Sequence, residues 1–142
     1  SGRQQRVGRC TCLILRASLK PMLRIRRVYD PPAPEDGYRV LVDRLWPRGM
    51  KREEARLDVW LKDIAPSNGL RKWAAGEEAS FAEFARRYRE ELSVPDALAL
   101  LDDLRDRARE GAVTLLFAKA NTAENNATVL RDVLIVRPRR HR

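Results

Sequence analysis

The chain of 142 residues has the length and the apolar content, 44%, of one globular domain. Its net charge of +9 would favour a nucleic-acid partner if the charge were spread over that domain. Residues 1–21 and 137–142 instead hold nine basic residues and no acidic one, which leaves 20 basic against 20 acidic residues between positions 22 and 136. Nucleic-acid binding through these basic tails is therefore an alternative that the sequence does not favour.

Residues 1–21 lack the periodicity of a strand or a helix and end directly before Met22. We expect Met22 to be the natural start and residues 1–21 to be a flexible or vector-derived extension. Cys10 and Cys12 lack the second ligand pair of a zinc site, which predicts free thiols. No apolar run approaches the roughly 18 to 20 residues of a membrane span, so we expect a soluble cytoplasmic protein without a membrane partner.

The predicted domain, residues 22–136, begins with two strands. The first is LRIRRVY (23–29), which ends at a pair of prolines, and the second is YRVLVDRLW (38–46). Downstream, Leu57, Trp60, Leu61 and Ile64 fall at positions i, i+3, i+4 and i+7, which predicts one face of a helix. The stretch APSNGLRKWA then predicts a short helix or a turn.

Two further helices follow. Ser80 and Glu83 fit a capping box before a helix whose apolar side includes Phe81, Phe84, Tyr88 and Leu92. Ser93 with Asp96 repeats that pattern, and Gly111 is predicted to cap the C-terminus of the helix between them.

A continuously apolar run, AVTLLFA (112–118), is typical of a strand that is covered on both faces in a parallel sheet. Thr122 is predicted to open the last helix. The order of two strands, several helices, a strand and a helix indicates a small single α/β domain, with a short, mostly parallel sheet and several packed helices.

Two of the predicted strands end in polar clusters. In open parallel sheets, ligands bind beyond the carboxyl ends of the strands, so these clusters predict a cationic site with one carboxylate if the strands are neighbours. Guanidinium groups and free helix-end N–H groups suit a phosphate or carboxylate, hence an anionic small molecule. The structural alternative is an ion pair between Asp43 and an arginine that fixes the loop. The candidate residues are Asp43, Arg44, Trp46 and Arg48 after one strand, and Lys119, Asn121 and Asn125 after the other.

At these residues the chain resembles the YeaO-like proteins, which are grouped with domain-of-unknown-function family 488. The resemblance covers about residues 22–135 and is carried by VDRLWPRG, FAEFARRYREEL and VTLLFAKANTAENNATVL. It implies little about activity, but it adds Arg87 and Tyr88 as candidate ligand-binding residues, in a helix expected to clamp the 43–49 loop. Where family members tend to read A-K-D after the last strand, often with a histidine before the asparagine, this chain has Ala118, Lys119 and Ala120.

Several chemistries are excluded by the sequence. The one histidine, His141, lies in the basic tail, which argues against a Ser-His-Asp triad, an H-E-x-x-H zinc site or a histidine base. No dinucleotide, Walker A or C-x-x-C motif occurs, which argues against dinucleotide, P-loop NTPase and thioredoxin-type chemistry, and the cofactor stays unknown. A metal held by Asp43 with Asp58 or Asp63 would compete with arginines, so no metal site is predicted.

Three classes of function stay open. If the protein is an enzyme, Asp43 would be the general base or orienting acid, and Arg44 and Arg48 would bind the anionic substrate. In the same first class, a ligand sensor would use this site for binding alone. The second class is a nucleic-acid binder that uses the tails. The third class is an interaction module or homodimer, formed through a patch of Trp46, Trp60 and Trp73.

Overall fold

The computed structural model describes residues 22–135, so the expectations for the two tails and both cysteines lie outside the described residues. It confirms the small α/β domain, with a four-stranded sheet in the order β1-β4-β2-β3 and helices around it. The strands are β1 (Leu23–Arg27), β2 (Tyr38–Leu41), β3 (Val59–Trp60) and β4 (Val113–Phe117). The helices are α1 (Arg52–Ala55), α2 (Asn68–Ala74), α3 (Phe81–Glu91), α4 (Pro95–Glu110) and α5 (Asn126–Ile135), with 3-10 turns at Pro34–Asp36 and Lys62–Ile64.

Strand β4 lies at the centre of the sheet, and all five of its residues are buried, as its unbroken apolar sequence predicts. It pairs in parallel with β1 on one side and with β2 on the other, and β2 pairs in parallel with β3. The predicted strands are therefore neighbours. Because all strands run the same way, the loops after Arg27, Leu41 and Phe117 meet at one edge of the sheet.

The two faces of the sheet are covered differently. Val40, Leu115 and Phe117 face the main core, which the helices α3, α4 and α5 complete. Leu41 and Leu116 face a smaller cluster formed with Ala55 and the partly buried side chains of the segment between β2 and β3. One face is thus packed by long helices and the other by loop segments.

The helix predicted from Leu57, Trp60, Leu61 and Ile64 is wrong. Strand β3 and a 3-10 turn occupy this segment, because the Leu61 N–H donates to the Leu41 carbonyl at 3.0 Å and extends the sheet. The apolar side chains also separate: Leu57 and Trp60 join the smaller cluster, whereas Leu61 and Ile64 join the main core. The helical spacing of these four residues is a coincidence, because they are buried in two different cores.

Several boundaries also differ from the predictions. The strands β1 and β2 end two and five residues earlier than predicted, because the chain turns away from the sheet towards Pro31 and Pro47. Ser80 does cap α3, accepting a hydrogen bond from the Glu83 N–H at 3.1 Å. Ser93 does not cap α4; its hydroxyl donates to the Glu90 carbonyl at 2.6 Å.

The predicted C-terminus of α4 agrees with the structure, whereas the predicted start of the last helix does not. Gly111 terminates α4 as predicted, but in an extended conformation. The last helix begins at Asn126 rather than Thr122, because the Asn121 carboxamide oxygen accepts from the Ala123 and Glu124 N–H groups and holds a turn there. Asn125 then accepts from the Thr128 N–H at 2.9 Å and caps the helix.

A buried ion cluster closes the amino-terminal end of the sheet. Asp36 accepts hydrogen bonds from Arg39, from Arg26 at 2.9 Å and from the Ala33 N–H at 3.0 Å. Burial by itself would raise the pKa of Asp36, but these hydrogen bonds together hold the pKa below its ordinary value. Gly37 has a φ of 65°, and a Cβ there would collide with the Ala112 carbonyl.

Candidate functional site

Asp43 joins three elements at the carboxyl end of the sheet. It follows β2, and its Oδ2 accepts a hydrogen bond from the Ala118 N–H, after β4, at 2.9 Å. Its Oδ1 accepts from Nδ2 of Asn126, the first residue of α5, at 3.0 Å. The same amide group of Asn126 donates to the Val42 carbonyl at 2.9 Å. The carboxylate is therefore a structural link between β2, β4 and α5.

The Asp43 side chain is partly buried. Burial raises its pKa, and the hydrogen bonds from Asn126 and Ala118 together with the charge of Arg71 offset that effect only in part. Among residues 22–135 no basic side chain forms a salt bridge with Asp43. Two N–H donors therefore hold Asp43 in place of the arginine ion pair of the structural alternative, and Arg71 acts on the carboxylate through its charge.

Beside Asp43 lies a partly open cavity of about 450 Å³. Of the described residues, 22–135, Asp43 is the one acidic residue in its wall, against four basic residues. Aromatic rings and prolines supply the rest of the surface, so the cavity combines positive charge with apolar walls. The basic residues are Arg44, Arg48, Arg71 and Lys119, and the aromatic residues are Tyr29, Trp46 and Phe84.

The four basic side chains differ in what they already bind. Arg44 donates to the carbonyls of Pro66 at 2.9 Å and Ala65 at 3.3 Å, so it braces the cavity wall. Arg71 donates to the Asn68 side chain at 2.9 Å. Within residues 22–135, the exposed side chains of Arg48 and Lys119 have neither a hydrogen bond nor an ion pair. These two cations are available to a ligand.

The end of β1 holds the backbone beneath both of those cations. Arg27 donates to the carbonyls of Lys119 at 3.0 Å and Ala118 at 2.9 Å. The Tyr29 hydroxyl donates to the Arg48 carbonyl at 2.7 Å, and the Arg27 guanidinium lies 5.1 Å from the centre of the Tyr29 ring. One pair of side chains therefore fixes two loops that follow different strands.

Pro66 lines the cavity from the segment 64–67, which is held from helix α3. The buried Tyr88 hydroxyl donates to the Ile64 carbonyl at 2.5 Å, and Glu91 accepts from the Ser67 N–H at 2.9 Å and hydroxyl at 2.6 Å. Burial raises the pKa of Tyr88, and the charges of Asp43 and Glu91 add to that effect. The clamp expected on the 43–49 loop thus acts on residues 64–67 instead.

Five of the predicted site residues line the cavity and four do not. Arg87 lies 4.1 Å from the Trp73 ring centre and donates to Glu83 at 2.8 Å, while Tyr88 is buried in the core. Asn125 is buried as the cap of α5, and Asn121 lines a smaller adjoining cavity. The five residues in the wall are Asp43, Arg44, Trp46, Arg48 and Lys119.

Sequence reasoning missed Tyr29, Arg71 and Phe84, which come to the cavity from the turn after β1, from α2 and from α3. No local motif marks these positions. Asn126 lies in the motif after β4, where the adjacent pair of asparagines is the local signal, since one asparagine caps the helix and the other contacts Asp43.

The tryptophans do not form one patch. Trp46 and Trp60 pack edge to face at 5.3 Å in the smaller cluster, whereas Trp73 packs against the main core beside Arg87. Among residues 22–135 there is no group of three His, Cys, Asp or Glu side chains placed to hold a metal ion. In the same range, no helix has the length and apolar character that crossing a membrane requires.

Comparisons with known proteins identify the family. Residues 22–142 match the family described as the inactive DUF488-N3 subclade. The chain is 45% identical to the uncharacterized protein YeaO of Escherichia coli over 112 residues, which is 79% of this chain and 96% of YeaO. It is 44% identical over 112 residues to the uncharacterized proteins Mb3100c of Mycobacterium bovis and Rv3073c of Mycobacterium tuberculosis, covering 79% of this chain and 92% of each. No solved structure gives a significant match. The chain therefore belongs to the YeaO-like branch of the DUF488 family.

Proposed function

We propose that the protein binds a small anionic ligand, bearing a phosphate or a carboxylate, in the cavity at the carboxyl ends of β2 and β4. The observation that carries this proposal is the excess of positive charge in the cavity wall. Within residues 22–135, four basic side chains line it against one carboxylate, which already accepts two hydrogen bonds. Arginine and lysine in such a setting form charge-assisted hydrogen bonds with phosphate and carboxylate oxygens.

Arg48 and Lys119 make the direct contacts in this proposal, because their charged groups have no partner among residues 22–135. Arg71 adds charge from the side of α2, and Arg44 contributes mainly by bracing the loop at Pro66. Trp46, Tyr29 and Phe84 then contact the uncharged body of the ligand.

The proposal is for binding rather than for a reaction. The matching family is described as an inactive subclade, which agrees with a site that recognises a ligand without transforming it. Asp43 is assigned a positioning role, because its two oxygens accept from the Ala118 N–H and the Asn126 amide and thereby set the shape of the cavity floor.

The test is thermal unfolding and calorimetric titration of the full chain with inorganic phosphate, a phosphate monoester and a dicarboxylate. We expect a concentration-dependent rise in Tm with at least one of them, since a ligand that binds the native state alone stabilises it. Arg48→Ala should weaken binding about tenfold or more, as expected for loss of one charge-assisted contact.

Arg89→Ala is the matched control. Arg89 is also an exposed arginine, but it does not line the cavity, so its loss should leave the affinity unchanged. Equal weakening by both substitutions would mean that general surface charge attracts the anion. If no probe shifts the wild-type Tm, the anion site is rejected, and sedimentation and nucleic-acid titration become the next experiments.

A further inference from the structure

A second cavity of about 180 Å³ adjoins the first. The two share Ala74, Phe84 and Lys119 in their walls, so Lys119 lies where one cavity passes into the other. A ligand held by its anionic group in the larger cavity can therefore extend past Lys119 into the smaller one.

The polar groups of the smaller cavity have unused hydrogen-bonding capacity. The Asn121 Oδ1 accepts from the Ala123 and Glu124 N–H groups, both at 2.9 Å, which leaves its Nδ2 without an acceptor among residues 22–135. The Glu124 carboxylate is exposed and has no hydrogen bond or ion pair within the same range. The Ser80 Oγ accepts from the Glu83 N–H at 3.1 Å and keeps its own proton to donate.

The two cavities differ in charge. Counting the part of the chain that the structure describes, the larger has four basic residues and one acidic residue, whereas the smaller has one of each, Lys119 and Glu124. A carboxylate repels an anionic group, so the anionic end of a ligand is directed to the larger cavity. A carboxylate accepts hydrogen bonds from hydroxyl groups, and a free carboxamide Nδ2 donates to them, so the smaller cavity is suited to hydroxyls.

Aromatic rings complete the wall of the smaller cavity. Phe81 and Phe84 lie in its lining with their ring centres 6.1 Å apart and their planes at 26°. Such flat apolar surfaces pack against the C–H groups of a hydroxylated carbon chain, while its hydroxyls reach the polar side chains at the edge.

We propose that the ligand is an anionic polyol, such as a sugar phosphate or a sugar acid. Its anionic group binds Arg48 and Lys119, and its hydroxyl groups bind Asn121 and Glu124. This inference rests on the proposed anion site and specifies the class of compound that the site accepts.

The test uses pairs of probes with the same carbon number that differ in their hydroxyls. Sorbitol 6-phosphate is compared with hexyl phosphate, and gluconate with hexanoate, by calorimetric titration of the full chain. In at least one pair we expect the polyol to bind about tenfold more tightly, the effect of hydrogen bonds to a charged group. Glu124→Ala should remove most of that preference without weakening the alkyl probe.

Glu110→Ala is the matched control, because Glu110 is an exposed acidic residue outside both cavities. If the alkyl probe binds as tightly as its polyol partner in both pairs, the polyol inference is overturned while the anion site stays in place. A preference for the polyol that survives combined substitution of Glu124 and Asn121 by alanine would also overturn it. If none of the four probes binds, both proposals fail.

Discussion

The two ends of the parallel sheet each place an aspartate near several arginines, with opposite results. At the amino-terminal end, Asp36 contacts Arg26 and Arg39 directly, and Arg39 is 5% exposed. At the carboxyl end, Asp43 accepts from the Ala118 N–H and the Asn126 amide instead, and no arginine forms a salt bridge with it among residues 22–135.

This difference separates a structural cluster from a candidate binding site. Around Asp36, Arg26 and Arg39 contact the carboxylate directly and the remaining Arg39 donors reach the carbonyls of Ala55 and Arg56, so the buried Arg39 is committed to the fold. Around Asp43 the carboxylate is satisfied by neutral donors, and the positive charge of Arg48 and Lys119 is left over. Residue types alone do not distinguish the two ends; their contacts do.

The largest expected effect is at the amino-terminal end. Asp36→Asn leaves Arg39 as a buried cation without its carboxylate, which should lower the free energy of unfolding by about 3–5 kcal/mol. Urea unfolding of the full chain measures this. Glu35→Gln, in the same turn but exposed, is the control and should change stability by less than about 0.5 kcal/mol. Similar losses in the two variants would contradict the assignment of Asp36 as the centre of the cluster.

At the carboxyl end, Asp43→Asn should cost less, about 1–3 kcal/mol. An asparagine can accept from only one of the two donors, Ala118 N–H and Asn126 Nδ2, and its own amide would face the other. The same unfolding experiment measures this loss. A variant of wild-type stability would show that Asp43 does not link β2, β4 and α5.

The two aspartates should also give pH dependences of opposite sign. The pKa of Asp36 is lowered in the folded state, so its contribution to stability is present above the ordinary value of about 3.9 and is lost as the pH falls through the folded pKa. The pKa of Asp43 is raised, so its contribution falls as the pH rises from about 3.9 through the folded pKa. Unfolding free energies of the wild type and each Asn variant between pH 2.5 and pH 7, roughly the range in which carboxyl groups titrate, measure both slopes. Contributions of Asp36 and Asp43 that change with pH in the same direction would contradict the difference between the two ends of the sheet.

Much of the sheet was predictable because its signals are local. The apolar run of β4 identified the central strand, and the apolar residues of β2 predicted a second strand, although its predicted end lies five residues beyond the observed one. The segment from Leu57 to Ile64 was not predictable in this way, because its apolar residues serve two different cores and only the pairing with β2 fixes its conformation.

The site was predictable to the extent that it lies directly after strands. Asp43, Arg48 and Lys119 follow β2 and β4 closely, so parallel pairing of the strands brings them together. Arg71 and Tyr29 reach the cavity from other elements, through tertiary packing that leaves no mark in the local sequence. Sequence also cannot show that the Asp43 oxygens accept from N–H groups rather than from an arginine.

The smallest effect tests how the cations are positioned. Tyr29→Phe removes the hydrogen bond to the Arg48 carbonyl but keeps the ring beside Arg27, so it should cost about 0.5 kcal/mol in stability, because the hydroxyl is solvent-exposed. Anion affinity should fall about threefold, since the loop that carries Arg48 is no longer held in its binding position. Tyr38→Phe is the control, because the Tyr38 hydroxyl has no hydrogen bond among residues 22–135 and its ring lies beneath Arg107. Calorimetric titration of phosphate into the three proteins measures the difference. Equal affinities of the wild type and Tyr29→Phe would mean that Arg48 reaches the anion without support from the turn after β1. The difference between the two ends of the sheet would then depend on charge alone.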